Sequence, residues 1–198
     1  MKNICVFASS SDALKQIYKD EALLLSQLLG EHQLNLVNGG ANVGLMEEML
    51  KKAQACGAQT IGIIPEKMEK VNLISSHIDE LIISSDMKER KAIMRQRSDA
   101  FIALAGGFGT LEEILEVITL KQLDYHNKPI VFINTNGFYD DLFRQFEKSY
   151  EENFAKPVYQ TLYHIAGNAH EAMEHILNYT EKTRVSKWFE VPNNSLTE

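Results

Sequence analysis

The chain alternates between two hydrophobic periods, and no other feature restricts its fold so tightly. Short runs rich in β-branched and aromatic residues (Ile4 to Ala8, Leu34 to Val37, Thr60 to Ile64, Leu81 to Ile83, Ala100 to Leu104 and Ile130 to Ile133) are separated by longer stretches with apolar residues at helical spacing. The short runs are nearly continuous in apolar side chains, which a strand tolerates only when both its faces are covered. The pattern therefore predicts an α/β fold, a doubly wound parallel sheet with right-handed crossovers, in a single domain. Residues 1–180 form the expected domain. Residues 181–198 lose the periodicity and run into Pro192, Asn193 and Asn194, which predicts a C-terminal tail with a frayed end.

Composition removes several classes of function. A chain of 198 residues with 44% hydrophobic and 24% charged content is globular and long enough for one well-buried core. Its longest apolar runs, such as Phe101 to Ala105, fall short of the roughly 20 residues that cross a bilayer, and the N-terminus enters a strand without a signal-peptide layout. The expectation is a cytoplasmic protein with no membrane partner. Cys5 and Cys56 are too few for a disulfide framework and read as reduced structural thiols. A formal net charge of −7 opposes binding to nucleic acid, while leaving room for a local basic pocket.

In a parallel sheet of this kind, ligands gather where strands end and helices begin. Three loops qualify. The segment Ala8 to Asp12 ends the first strand, and its serines, Ser9 among them, can cap a helix or offer hydroxyls to a phosphate. The segment Asn38 to Met46 places Gly39, Gly40 and Gly44 where a bare turn or a close ligand approach would each need glycine. The third, "ALAGGFGTLEEILEVIT", puts Gly106, Gly107 and Gly109 between a strand and a helical pattern. Neither glycine cluster has the spacing of a dinucleotide fingerprint, and the chain has no Gly-Lys pair for a Walker-type loop. The histidines of "HEAMEH", His170 and His175, diverge around a helix, so a solvated surface is expected there and no metal site.

The carboxylates after the third loop pose a sharper question. Thr110 and Glu113 match a capping box, which would occupy Glu113 with a backbone amide. Against that, an anion held by this loop would be repelled by Glu113 unless a cation intervened, an arrangement that suits a reaction developing positive charge beside a phosphate-bearing sugar. The cation is available just upstream. Asp86 and Glu89 form a helix-start signature, after which Arg90, Met94 and Arg97 share one face and Lys91 and Arg95 another. Arg90 and Lys91 are expected at the carboxyl edge of the sheet as phosphate or ribose contacts, and Arg95 and Arg97 on a solvated face.

"MKERK" (Met87 to Lys91) followed by "AGGFGTLEE" (Ala105 to Glu113) resembles the paired signature of the Lonely Guy family, and the similarity runs in order through roughly the first three-quarters of the chain. Those proteins are cytokinin riboside 5′-monophosphate phosphoribohydrolases, many of them labelled lysine decarboxylases. The resemblance implies a Rossmann-like domain, a homodimer, and hydrolysis of the N-glycosidic bond of an AMP-like nucleoside monophosphate without metal or organic cofactor. It places Arg90 and Glu113 at catalytic positions. It places Lys91, Gly107, Phe108, Gly109, Thr110, Leu111, Glu112 and Thr119 at substrate-binding ones, and Gly106, Ser9, Gly39, Gly40, Gly44 and Met87 beside them.

This chain departs from the family pattern at four points. Ala105 stands for a proline, Lys88 for a histidine, Glu47 for a glycine, and Asn72 for a glutamate that contacts substrate. A dimer also agrees with Leu111, Ile114, Leu115, Ile118 and Leu123, which exceed one narrow core stripe. Two other readings carry different expectations. A non-catalytic nucleotide sensor would keep the glycine loops and release no base, and a pyridoxal-phosphate decarboxylase would need a Schiff-base lysine.

Overall fold

Seven parallel strands form one sheet in the order β4-β3-β2-β1-β5-β6-β7. The computed structural model describes residues 2–181, so all but the first residue of the tail expected over 181–198 lies outside the described residues. The elements are β1 (Asn3–Phe7), α1 (Gln16–Glu31), β2 (Asn35–Asn38), α2 (Gly44–Ala55), β3 (Thr60–Pro65), the short α3 (Glu66–Glu69), β4 (Glu80–Ser84), α4 (Met87–Arg97), β5 (Ala100–Ala103), α5 (Phe108–Gln122), β6 (Ile130–Ile133), α6 (Asp140–Glu151), β7 (His164–Ala166) and α7 (Ala169–Leu177). All six expected strands are present. β7 is an addition: three residues with one exposed isoleucine give no periodic signal, and the strand exists because β6 pairs with it and α7 packs behind it.

Alternation along β1 shows why both faces must be covered. Ile4 and Val6 enter one buried cluster, with Leu25 and Leu29 of α1, Met49 and Leu50 of α2, and Met173 and Ile176 of α7. Cys5 and Phe7 enter the other, with Met94 of α4, Ile114 and Val117 of α5, and Phe132 and Tyr139. Helices therefore flank the sheet on both sides, as a doubly wound fold requires. Both cysteines are free thiols; Cys5 is buried, and that burial pushes its thiol well above the ordinary range. No helix among the described residues is long and apolar enough to cross a membrane.

The strand order reverses at β1. From β1 the chain adds β2, β3 and β4 on one side, then returns to add β5, β6 and β7 on the other. Neighbouring loops at the ends of β1 and β5 consequently leave in opposite directions and open a crevice, the usual ligand position in such sheets.

Candidate active site

Three helices begin around this crevice, and their first turns differ. At α2, the Gly44 amide donates to Asp12 Oδ1 at 2.8 Å and the Leu45 amide to the Ser9 carbonyl at 2.9 Å. At α4, Asp86 accepts from the Glu89 amide at 2.8 Å, and the Glu89 carboxylate accepts from the Ser85 amide at 2.6 Å. The start of α5 has Gly107 as its N-cap, no capping side chain and no acidic residue in its first turn. The amides of Phe108, Gly109 and Thr110 thus supply the crevice's open helix start, where partial positive charge collects.

This geometry overturns the capping-box reading. Because α5 begins at Phe108, Thr110 lies inside the helix, buried with its side chain against Gly106, and Glu113 lies in the second turn. The Glu113 carboxylate turns to α4, where its Oε1 accepts from Arg90 Nη1 at 3.0 Å. Arg90 is fixed from a second direction, since its Nε donates to the Ile63 carbonyl at the end of β3, also at 3.0 Å. The pair is nearly withdrawn from solvent, with side chains 10% and 11% exposed. Gly39 makes room for it: a Cβ there would lie 2.1 Å from Arg90 Nη2. Gly44 has φ +57, and a Cβ on it would collide with the backbone of Ser9 and Ser10, so glycine is what lets the first two loops touch.

Burial and the ion pair act on Glu113 in opposite senses. Desolvation raises the carboxyl and Arg90 lowers it, with burial prevailing, so the group titrates above the ordinary carboxylate value. Lys91 lies one step further out. Burial opposes its charge, but hydrogen bonds to Glu112 and Glu116 prevail and hold it above the usual lysine value. Glu116 also accepts from Arg95 Nη1 at 2.7 Å, and both guanidinium nitrogens Nη1 and Nη2 of Arg97 meet Glu80 at 2.7 Å. Arg95 and Arg97 therefore sit in ion pairs and not on the freely solvated face expected for them. His175 is likewise not simply solvated, because its ring stacks on His164 with centroids 4.0 Å apart, while His170 is exposed.

A cleft of about 300 Å³ joins these parts, within the range of small-ligand pockets. Of the residues singled out in the sequence, it brings together Ser9, Gly39, Met87, Arg90, Gly107, Phe108, Gly109, Thr110, Glu112 and Glu113. Gly40, Gly44, Gly106 and Leu111 support its walls from behind. Lys91 does not line the cleft and lies behind Glu113 with Glu116, and two further positions lie apart. Asn72 is exposed in a turn with φ 58, a left-handed conformation that asparagine adopts more readily than glutamate, and its carbonyl accepts from Asn42 Nδ2. Thr119 is exposed on α5 and donates to the Leu115 carbonyl, roughly 13 Å along the helix from Thr110 at about 1.5 Å per residue. The cleft also takes in Met46 and Met68, which sequence reasoning had not assigned. Met46 closes the glycine segment Asn38 to Met46 and carries a signal there; Met68, on a four-residue helix, carries no local signal. Among the described residues, no group of three or more His, Cys, Asp or Glu side chains is placed to hold a metal ion.

Comparison with known proteins agrees with this architecture. The family model described as "Possible lysine decarboxylase" matches residues 46–176. The chain is 39% identical to cytokinin riboside 5′-monophosphate phosphoribohydrolase LOG5 of Arabidopsis thaliana, covering 90% of this chain and 78% of that one. It is 40% identical to LOG2 of the same plant, over 91% and 85% of the two chains. Among solved structures, the molybdenum cofactor binding protein of Rippkaea orientalis superposes with a TM-score of 0.69 at 25% identity, over 89% of this chain and 95% of that one. The molybdenum cofactor carrier protein of Chlamydomonas reinhardtii gives 0.68 at 23% identity, over 89% and 96%, and shows the shared fold. Paired motifs, the crevice they build and relatives matched over most of their length lead to one placement: the chain belongs to the Lonely Guy family of cytokinin riboside 5′-monophosphate phosphoribohydrolases.

Proposed function

We propose that this protein hydrolyses the N-glycosidic bond of purine nucleoside 5′-monophosphates, AMP and its N6-substituted cytokinin counterparts, to free base and ribose 5-phosphate. One observation carries the reading: a carboxylate nearly withdrawn from solvent, Glu113, is held by Arg90 beside the uncapped start of α5. The phosphate binds the amides of Phe108, Gly109 and Thr110, and the sugar then lies against Glu113. As the bond from C1′ to the base nitrogen lengthens, the sugar takes on oxocarbenium character that the carboxylate stabilises. Glu113 accepts a proton from water as its oxygen bonds to C1′, and the departing base takes up a proton from solvent. A carboxyl titrating above the usual range suits that role as general base. Arg90 offsets the repulsion between carboxylate and phosphate; charges about 4 Å apart interact by roughly 4 kcal/mol at an effective dielectric near 20.

Lys91 argues against a Schiff-base decarboxylase. An amine that attacks a carbonyl must be neutral, and Glu112 and Glu116 hold Lys91 in its charged form. The reading includes a homodimer. Phe108 is 93% exposed at the mouth of the cleft, Leu123 and Tyr125 are 40% and 76% exposed beyond the far end of α5, and Thr119 cannot reach the cleft of its own subunit. Incubation with AMP, N6-isopentenyl-AMP and their nucleosides, followed by chromatography, tests the activity. Base release from the monophosphates and far less from the nucleosides is expected, because the phosphate contributes the binding energy that orients the sugar. Equal release from AMP and adenosine, or none from any nucleotide, would overturn the proposal.

A further inference from the structure

Tyr139 does not line the cleft, yet it is anchored as firmly as any residue around it. It stands just before α6, 2% exposed, with its ring edge-on to Phe132 at 5.2 Å and to Phe138 at 5.0 Å. Its amide donates to Asn134 Oδ1 at 2.7 Å, and the Asn134 amide donates to the Ala166 carbonyl at 2.8 Å. The intervening turn takes positive φ at Asn136 and Gly137. Ring and backbone are thereby fixed from separate directions, and the hydroxyl is delivered to one place. It donates to the Leu104 carbonyl at 2.6 Å, and the hydroxyl oxygen in turn accepts from the Gly106 amide.

Leu104 and Gly106 belong to the segment that leads from β5 into the first turn of α5. With Gly106, Gly107 and Gly109 close together, that segment is rich in backbone freedom, which must be lost before three amides can converge on one phosphate. A hydrogen bond already made in the free protein removes part of that ordering cost from the binding step. A purely packing role would not need the hydroxyl, since phenylalanine fills the same volume without a buried polar atom to satisfy. We propose that Tyr139 is a positioning residue for the phosphate loop, its hydroxyl holding the backbone at Leu104 and Gly106 so that the Phe108, Gly109 and Thr110 amides are pre-aimed. This rests on the assignment of that loop to the phosphate under Proposed function.

The test is Tyr139→Phe, assayed for base release from AMP and from adenosine, with inhibition by ribose 5-phosphate measured alongside. The expected result is a rise of about tenfold in KM for AMP and in the inhibition constant for ribose 5-phosphate, with kcat within about twofold. Turnover of adenosine, which lacks the phosphate, is expected to be unchanged. An unaltered KM, or equal losses for AMP and adenosine, would overturn the assignment. Asn134→Ala loosens the turn and leaves the ring in the core, so it is expected to give the same pattern more weakly. Thermal unfolding of each variant fixes an assay temperature at which all are folded. Failure of the phosphate assignment itself would appear separately, as a wild-type protein that does not prefer AMP to adenosine.

Discussion

At the scale of single residues, the informative feature is a carboxylate with two possible occupations of which the fold permits one. Moving the N-cap of α5 from Thr110 to Gly107 places Glu113 about one turn deeper, where its carboxylate meets Arg90 and not the amide of Thr110. Replacement of Glu113 by Gln retains a carbonyl oxygen for Arg90 and removes the negative charge. Turnover of AMP at saturation is expected to fall roughly 100- to 1000-fold, the usual cost of removing one electrostatic stabiliser, with nucleotide binding retained. Base release and isothermal titration measure the two quantities, and wild-type turnover in this variant would return Glu113 to a structural role. The pH profile gives a second check. The working form is the carboxylate, and burial raises its pKa in the folded protein above 4.5, so kcat/KM is expected to decline as pH falls with a midpoint above that value. A midpoint at or below the ordinary carboxylate value would contradict the burial argument.

At the scale of elements, the packing of α5 against β1 and β5 depends on groups remote from the cleft. His126, in the connection from α5 to β6, donates from Nε2 to the Val117 carbonyl at 3.0 Å and accepts at Nδ1 from the Lys128 amide at 3.2 Å, a bonding pattern open only to the neutral ring. Burial, followed by the nearby Lys128 and Lys121 charges, lowers its pKa from 6.5 to about 4, outweighing the Val117 hydrogen bond. Between those values the unfolded chain binds the proton and the folded chain does not. Stability is therefore expected to be complete above about pH 6.5 and to be lost progressively as pH falls toward about 4. Urea denaturation across this interval should show the midpoint falling with pH, and His126→Gln should flatten that slope. An unchanged slope in the variant would assign the acid sensitivity elsewhere. The same connection illustrates what the sequence reveals at this scale. The six longer strands and the helix start at Asp86 follow from local pattern, whereas the cap of α5, the strand β7 and the ion pairs of Arg95 and Arg97 arise from neighbours far away in sequence.

At the scale of the whole molecule, the alternation of short and long periods was enough to predict the doubly wound sheet, and the two motifs were enough to locate the crevice at its switch point. Asn72 and Thr119 were not placed by the same reasoning, since motif order says which residues are present and not how far apart the fold carries them. Thr119 bears on assembly. It projects from α5 on the stretch between Phe108 and Tyr125, both large aromatics left open to solvent by this chain. Burying such side chains stabilises by about 25 cal/mol for each Å² of apolar surface removed from water, and a two-fold contact would use the same patch on both copies. The expected outcome is a dimer at micromolar concentration, with light scattering giving twice the 22.5 kDa chain mass. Replacing Leu123 with Glu and Tyr125 with Ser is expected to shift the mass toward one chain, with little change in thermal unfolding if both side chains serve only the contact. If Thr119 reaches substrate in the partner's cleft, this double variant should also lose base release although neither residue lines the cleft. A wild-type protein with the mass of one chain at every concentration measured would eliminate the dimer, and with it any role for Thr119 across the interface.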